Sequence, residues 1–255
     1  MNDIKKKRKP MVFIISGLDP SGKAGFILDS VVVDRLGGDA AGMTSAITVQ
    51  DLEKGYDFYS IAEELARAVI SQILAQINPD AVKIGMMPVL DSAEYIVSEL
   101  VKLKCPVVWD PVLQTSDGLP LVEPNDIHRI FEVLAPVVSV LTPNIPEARV
   151  LFHTDDEHLD EKFLRKMVER YGFDGILLKG GHSKNPIVED ILVTSETTFE
   201  YRRERLNFNV RGTGCALSSA LATELAKGLF LDDAFVEAEK FMDEFLIERA
   251  VFSYS

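Results

Sequence analysis

Met11-Val12-Phe13-Ile14-Ile15-Ser16 runs into Gly17-Leu18-Asp19-Pro20-Ser21-Gly22-Lys23-Ala24-Gly25, and that succession decides the fold. Val12 to Ser16 reads as a short buried strand, and the glycine-bearing loop after it hands over to a helix. Phe26, Ile27, Val31, Val32 and Leu36 recur at roughly helical spacing until Gly37-Gly38 stops the run. Strand, loop and helix form the first half of a βαβ unit. Gly17 to Lys23 fits the phosphate-loop pattern G-x-x-x-x-G-K, but Ala24 stands where the pattern needs a magnesium-binding hydroxyl, so that reading fails.

The alternation continues outward. Met43 to Val49 reads as a strand ending at Gln50-Asp51. Ser60 with Glu63 has the form of a capping box for a helix carrying Leu65, Val69, Ile73, Leu74 and Ile77. Ala81 to Met86 is the next strand, Asp91 with Glu94 suggests a helix cap, and Pro106 to Trp109 is a strand ending in Asp110. A helix is expected over Ile127 to Leu134, a strand over Val137 to Leu141, and a short helix opened by Asn144-Ile145-Pro146-Glu147. A further helix at about Leu159 to Tyr171 precedes a strand from Gly175 to Lys179, closed by Gly180-Gly181. Asp190 to Thr194 and Phe199 to Leu206, joined around Ser195-Glu196-Thr197, read as an antiparallel hairpin on the sheet edge. The final helix is expected from about Asp232 to Arg249. These elements predict a mostly parallel sheet covered by helices on both faces.

The 255 residues are 47% hydrophobic and 26% charged, with a net charge of −13. Such a chain holds one large α/β domain, expected over 11–255, behind a basic tail at 1–10. The acidity argues against a general nucleic-acid surface, so an anionic substrate needs a local positive pocket. Cys105 and Cys215 are far apart and lack metal-ligand spacing, which fits a reducing cytoplasm. The apolar run after Lys5-Lys6-Lys7-Arg8-Lys9 is too short for a leader, and no stretch approaches membrane-spanning length.

Arg211-Gly212-Thr213-Gly214-Cys215-Ala216-Leu217-Ser218-Ser219-Ala220 puts two glycines and a threonine directly before an apolar helix. Two readings stand: an ordinary glycine turn with a small buried cysteine, or an anion site where helix N-terminal amides meet a phosphate. In the second, the same field lowers the Cys215 pKa. Polar groups also recur at the carboxyl ends of the expected strands: Asp19, Gln50, Met86 after Gly85, Asp110, Asn144 with Glu147, and Lys179. Each alone suits a turn or cap, and Asn144 with Glu147 resembles a capping box. Together they line one rim and supply magnesium ligands, a cation and backbone donors for phosphoryl transfer.

Taken in order, Ser16-Gly17-Leu18-Asp19-Pro20-Ser21-Gly22-Lys23-Ala24-Gly25, Ala46-Ile47-Thr48-Val49-Gln50, Val82-Lys83-Ile84-Gly85-Met86, Asp110-Pro111-Val112, Leu141 to Ala148, Leu178 to His182 and Gly212 to Ser219 resemble a known set. They resemble the ribokinase-like small-molecule kinases, and within them the hydroxymethylpyrimidine/phosphomethylpyrimidine kinases of thiamine biosynthesis. The resemblance spans nearly the whole chain. It implies a three-layer α/β/α sandwich, ATP and Mg2+ as cofactors, a heterocyclic alcohol or its phosphate as acceptor, and a homodimer as a possible assembly. It implies that Gly17, Asp19, Ala24, Thr48, Gln50, Met86 and Val112 line the acceptor pocket. Asp110, Asn144 and Glu147 would serve magnesium and the nucleotide, partly through water, with Lys179 and Thr213 on phosphates. Gly212, Thr213, Gly214 and Cys215 would form the catalytic anion hole, with Cys215 as base.

Departures cluster on the acceptor side: Lys23 replaces a usual glycine, Asp51-Leu52-Glu53-Lys54-Gly55-Tyr56 follows Gln50, and Arg211 replaces a common His. A pyridoxal/pyridoxine-type kinase and a non-catalytic heterocycle- or nucleotide-binding relative are the alternatives that remain.

Overall fold

The computed structural model describes residues 8–155, 158–182, 186–206 and 210–252. Its frame is a nine-stranded sheet in the order β3-β2-β1-β4-β5-β6-β7-β8-β9. The strands are β1 (Met11–Leu18), β2 (Asp39–Gln50), β3 (Gly55–Ser60), β4 (Ala81–Ile84), β5 (Val107–Trp109), β6 (Val140–Leu141), β7 (Gly175–Leu178), β8 (Ile187–Val193) and β9 (Thr198–Glu204). From β2 across to β7 every pairing is parallel, and both edges are antiparallel.

Period-two alternation on strands buried from both sides divides the core in two. Phe13 and Ile15 face one way, with Val82, Ile84, Trp109, Leu141 and Ile176. That face is covered by α2 (Glu63–Leu74), α3 (Leu90–Leu100), α4 (Ile127–Leu134), α5 (Ile145–Phe152) and α6 (Glu161–Tyr171). Val12 and Ile14 face the other way, under α1 (Gly25–Arg35), α7 (Thr213–Ala226) and α8 (Leu231–Phe252). The result is the α/β/α sandwich that the alternation implied.

Four local expectations are corrected. Ser60 does not cap a helix, because it ends β3; α2 begins at Glu63 behind Ala62 with no side-chain cap. Asp91 lies in the first turn of α3, whose cap residue is Val89, so the expected Asp91 and Glu94 cap is absent. Val137 closes a short 3-10 turn, and only Val140–Leu141 pairs as strand. The sheet also gains an antiparallel edge strand, β3, where no strand was expected. Asp51 makes the tight return, accepting from the amides of Glu53 and Lys54 and from the Tyr56 hydroxyl at 2.6 Å. These bonds hold the Asp51 carboxyl down at about 2, the Tyr56 hydroxyl contributing most.

The basic N-terminal segment is partly anchored: Arg8 pairs with Asp80 and Lys9 with Asp39. Strand order reverses at β1, which is flanked by β2 on one side and β4 on the other. In an open parallel sheet, the crevice outside the carboxyl ends at such a reversal is where ligands sit.

Candidate active site at the strand rim

Several residues expected on the acceptor side lie at the β1/β4 reversal. Gly17 lies so close to Met86 that a Cβ there would stand 2.8 Å from the Met86 sulfur, so only glycine lets the two meet. Met86 packs with Ala46, Leu121, Phe58 and Val112 in a small apolar cluster. Thr48 donates its hydroxyl to the Leu18 carbonyl at 3.1 Å, stitching β2 to the end of β1. Ala24 is the residue before α1, held where the loop folds back on itself: Gly25 has φ +60° and presses on the Gly17 carbonyl. Gly17, Ala24, Thr48, Met86 and Val112 are therefore brought together.

Asp19 and Gln50 both have hydrogen-bond partners within the chain. Both Asp19 oxygens accept from Ser21, from its amide and its hydroxyl at 2.8 Å each, so the buried carboxylate shapes its own loop. The Gln50 side-chain oxygen accepts from Arg211 at 2.7 Å, and Arg211 also donates to the Asp51 carbonyl at 3.0 Å. Arg211 thus ties the end of β2 to the entry of the glycine loop.

Phosphate-side residues converge on the first turn of α7. Gly212 has φ +79°, and a Cβ there would stand 2.1 Å from the Lys23 carbonyl, so the two glycine-bearing loops meet backbone to backbone. Thr213 then opens the helix with its N-terminal amides unpaired within the helix. A Cβ at Gly214 would lie 3.0 Å from Lys179 Nζ and 3.6 Å from an Asp110 carboxylate oxygen. Lys179 donates to Asp110 Oδ1 at 2.5 Å and lies 4.0 Å from Glu147 Oε2. Asn144 and Glu147 form the expected reciprocal capping box on α5: Asn144 Oδ1 accepts from the Glu147 amide at 2.8 Å, and Glu147 Oε2 from the Asn144 amide at 2.7 Å.

Burial dominates the electrostatics. It lifts Glu147 to about 7, with Asp110 adding to the rise and Lys179 opposing it. Burial alone would lower the Lys179 ammonium, but Asp110 and Glu147 outweigh it and hold that pKa above its ordinary value. Cys215 corrects the sequence expectation outright. Burial pushes its thiol up to about 12; Lys83 pulls the other way, while Asp29 and Asp110 add to the rise. At neutral pH the resting thiol is protonated.

Beside this cluster opens a cleft of about 210 Å³, walled by Lys179, Gly181, Arg205, Thr213, Gly214 and Leu217 among others. Asp190 on β8 shapes its floor by accepting from the Gly180 amide at 2.7 Å, which fixes the glycine turn after β7. Arg203 on β9 pairs with Asp190, Glu239 and Asp243. Sequence reasoning missed Arg203 and Arg205, because cleft-lining residues on an edge strand follow no local pattern. It also passed over Lys83, whose signal was readable. A charge inside a strand buried on both faces requires a partner, and Asp29 is that partner at 2.7 Å, with both side chains 0% exposed.

The chain as a whole is similar to known kinases. A hydroxymethylpyrimidine/phosphomethylpyrimidine kinase of Staphylococcus aureus is 30% identical over 240 residues, covering 92% of this chain and 87% of that one. A phosphomethylpyrimidine kinase structure from Clostridium difficile superimposes with a TM-score of 0.80 at 28% identity, over 94% of this chain and 100% of that one. An ADP complex of Bacillus subtilis pyridoxal kinase gives 0.80 at 27% identity, over 91% and 90%. Every residue of the rim except Gly17 falls within residues 19–252, the span matched by the family model for phosphomethylpyrimidine kinase, and the chain belongs to that family.

Proposed function

We propose that this protein transfers the γ-phosphoryl group of ATP to the hydroxymethyl group of hydroxymethylpyrimidine, its monophosphate, or both, as a kinase of thiamine biosynthesis. The observation that carries the reading is the junction at Gly214. There the first turn of α7 meets Lys179 and Asp110, and Lys179, Thr213 and Gly214 all line the 210 Å³ cleft. Phosphoryl transfer needs little covalent chemistry from the protein. Alignment of acceptor and phosphate, together with fixed donors for the charge that spreads over the transferred group, supplies most of the rate.

In this reading the amides of residues 212 to 215 bind the transferring phosphoryl group. The Thr213 hydroxyl and Lys179 contact phosphate oxygens, and Lys179 exchanges part of its bond with Asp110 for the nucleotide. Gly17, Ala24, Thr48, Met86 and Val112 hold the heterocycle. Gln50 reads its polar edge through the amide nitrogen, because its oxygen is engaged by Arg211. Asp19 contributes by fixing the Gly17 to Gly25 loop.

Cys215 takes the hydroxyl proton. The resting thiol is protonated, so it serves as base only in the fraction of molecules where Lys83 and the helix amides hold it as thiolate.

The donor set suits magnesium in the manner usual for nucleotide enzymes, where phosphate and water fill most of the shell. Asp110 and Glu147 are hard oxygen donors on one buried wall, while the Asn144 oxygen is occupied in its cap and favours an indirect role. Among the described residues no group of three His, Cys, Asp or Glu side chains forms a cage by itself. Magnesium, held at Asp110 and Glu147, would offset the negative charge of the phosphates.

No helix of the described residues is long and apolar enough to cross a membrane. Unpaired Cys105 and Cys215 support a reducing compartment such as the cytoplasm.

The test is an acceptor panel with ATP and magnesium, read by ADP release and by the phosphorus spectrum of the product. Turnover of hydroxymethylpyrimidine or its phosphate is expected. Turnover of pyridoxal alone would reassign the acceptor, and binding without turnover would remove the enzyme reading. Cys215→Ala should lose about 10²-fold or more of kcat with its melting temperature preserved. Near-normal transfer by that variant would sink the base assignment.

A further inference from the structure

Asp29 and Lys83 form an ion pair without solvent exposure, with Lys83 close enough to Cys215 to oppose the rise of its thiol. Such a pair is weak evidence for stability, because removing two charges from water costs several kcal/mol and well-packed apolar residues often do as well. What the pair connects is more informative. Asp29, on α1, accepts from Lys83 on β4 at 2.7 Å with one oxygen and from the Ser219 hydroxyl on α7 at 2.8 Å with the other. The Ser16 hydroxyl, near the end of β1, also acts to lower the Asp29 carboxyl, against the rise from burial.

Gly85 leaves the space these groups use, since a Cβ there would stand 2.6 Å from Ser16 Oγ and 2.9 Å from Lys83 Nζ. One carboxylate therefore links the acceptor side of the rim, at Ser16 and Gly85, to the helix that carries the anion loop. Ser219 is four residues after Cys215, so both lie on one face of α7, a turn apart. Next to it Ser218 donates to Asp110 at 3.4 Å and to the Cys215 carbonyl at 3.1 Å.

We propose that Asp29, neutralised by Lys83, is a positioning residue for phosphoryl transfer: it grips Ser219 and so fixes the first turn of α7, with Cys215 and the anion-loop amides, against the strands that hold the acceptor. Burial raises the Asp29 carboxyl above its ordinary range, and Lys83 opposes that rise while its bond aims the carboxylate. Burial by itself would lower the Lys83 ammonium, but Asp29 outweighs it and keeps lysine charged. The inference rests on the kinase reading for its activity readout but not for its structural one.

The test compares Ser219→Ala with Thr223→Val. Both delete a fully buried hydroxyl from α7, but Thr223 bonds only within its own helix, to the Ser219 carbonyl. Neither change removes a charge of the Asp29–Lys83 pair, although Ser219→Ala takes one donor from Asp29, and both variants are expected to fold. In a Cys105→Ser background, iodoacetamide labels Cys215 alone. Ser219→Ala should lower kcat about tenfold or more while KM for ATP and acceptor stays within about twofold. It should also speed labelling of Cys215 severalfold, as the loosened turn opens. Thr223→Val should leave kcat and labelling as in the parent.

Equal kcat or equal labelling in the two variants overturns the proposal, because a merely structural hydroxyl predicts equality. If the parent enzyme turns over no acceptor, the kinase reading fails by itself and the labelling comparison still decides whether Asp29 positions α7.

Discussion

Replacing Gly212 by alanine isolates the contact on which the site depends. Two separate penalties act there. The first is conformational: φ is +79°, and a left-handed L-residue costs roughly 1–2 kcal/mol. The second is steric. The new methyl carbon would stand 2.1 Å from the Lys23 carbonyl, a backbone atom that cannot rotate away, against an ordinary contact of 3.4–4 Å. Relief needs a movement of more than 1 Å, by the entry of α7 or by the Gly17 to Gly25 loop.

Misplacement on that scale is enough to cost about 10²-fold in a reaction governed by alignment. Gly37→Ala supplies the control. It carries the same kind of strain, φ +81°, with nothing within 4 Å of the added carbon, and it sits at the far end of α1. Both variants should therefore melt lower, by about 2–4 °C for each kcal/mol in a chain of this size. Only Gly212→Ala should lose kcat, measured as ADP release at saturating acceptor. A Gly212→Ala enzyme with kcat within about twofold of Gly37→Ala would refute the reasoning that the loop's backbone position carries the rate.

Lys179→Met should strip the Asp110 carboxylate, 1% exposed, of its cation, a loss of about 3–5 kcal/mol, and should abolish measurable turnover. The double change Lys179→Met with Asp110→Asn removes that stranded charge, so it should melt above the single variant; if it melts lower still, the pair is not what stabilises this wall. Arg211→Ala releases Gln50 and the Asp51 carbonyl on a partly exposed edge, with a stability change within about 0.5 kcal/mol. Its KM for the acceptor should change while that for ATP does not; equal effects on both would deny Arg211 a place in reading the acceptor. For Cys215, a thiol pushed up to about 12 is protonated through the neutral range, so its alkylation rate in a Cys105→Ser background should climb about tenfold per pH unit from pH 7 to 10. A plateau below pH 9 would mean the thiolate is favoured after all.

The parallel part of the sheet was legible because strands buried on both faces are written as short apolar runs, and glycine or a polar residue marks each carboxyl end. The hairpin β8–β9 was legible too, within a few residues at each end. β3 was not, although Tyr56, Phe58 and Tyr59 carry β propensity. An edge strand with one exposed face lacks the apolar run used as the signal, and Ser60 with Glu63 offers a competing helix signature. Local chemistry stated both possibilities, and pairing with β2 selected one. Asn144 shows the opposite outcome. Its cap needs only Glu147 three residues on, so sequence contains the whole interaction.

The misjudged sign at Cys215 has the same origin as the overlooked Lys83. A helix N-terminus was visible, and it favours a thiolate. How deeply the first turn would be sunk was not visible, nor that Asp29 and Asp110, 81 residues apart in sequence, would both lie near the sulfur. Burial and two carboxylates prevail over the helix end and Lys83. The residues that bind phosphate are arranged around backbone geometry, which short motifs encode well. The residues that set charge are arranged around burial, which only the folded chain determines. Lys83 therefore marks where the two meet: it acts on Cys215 to favour the thiolate, and it is held there by the same carboxylate that grips α7.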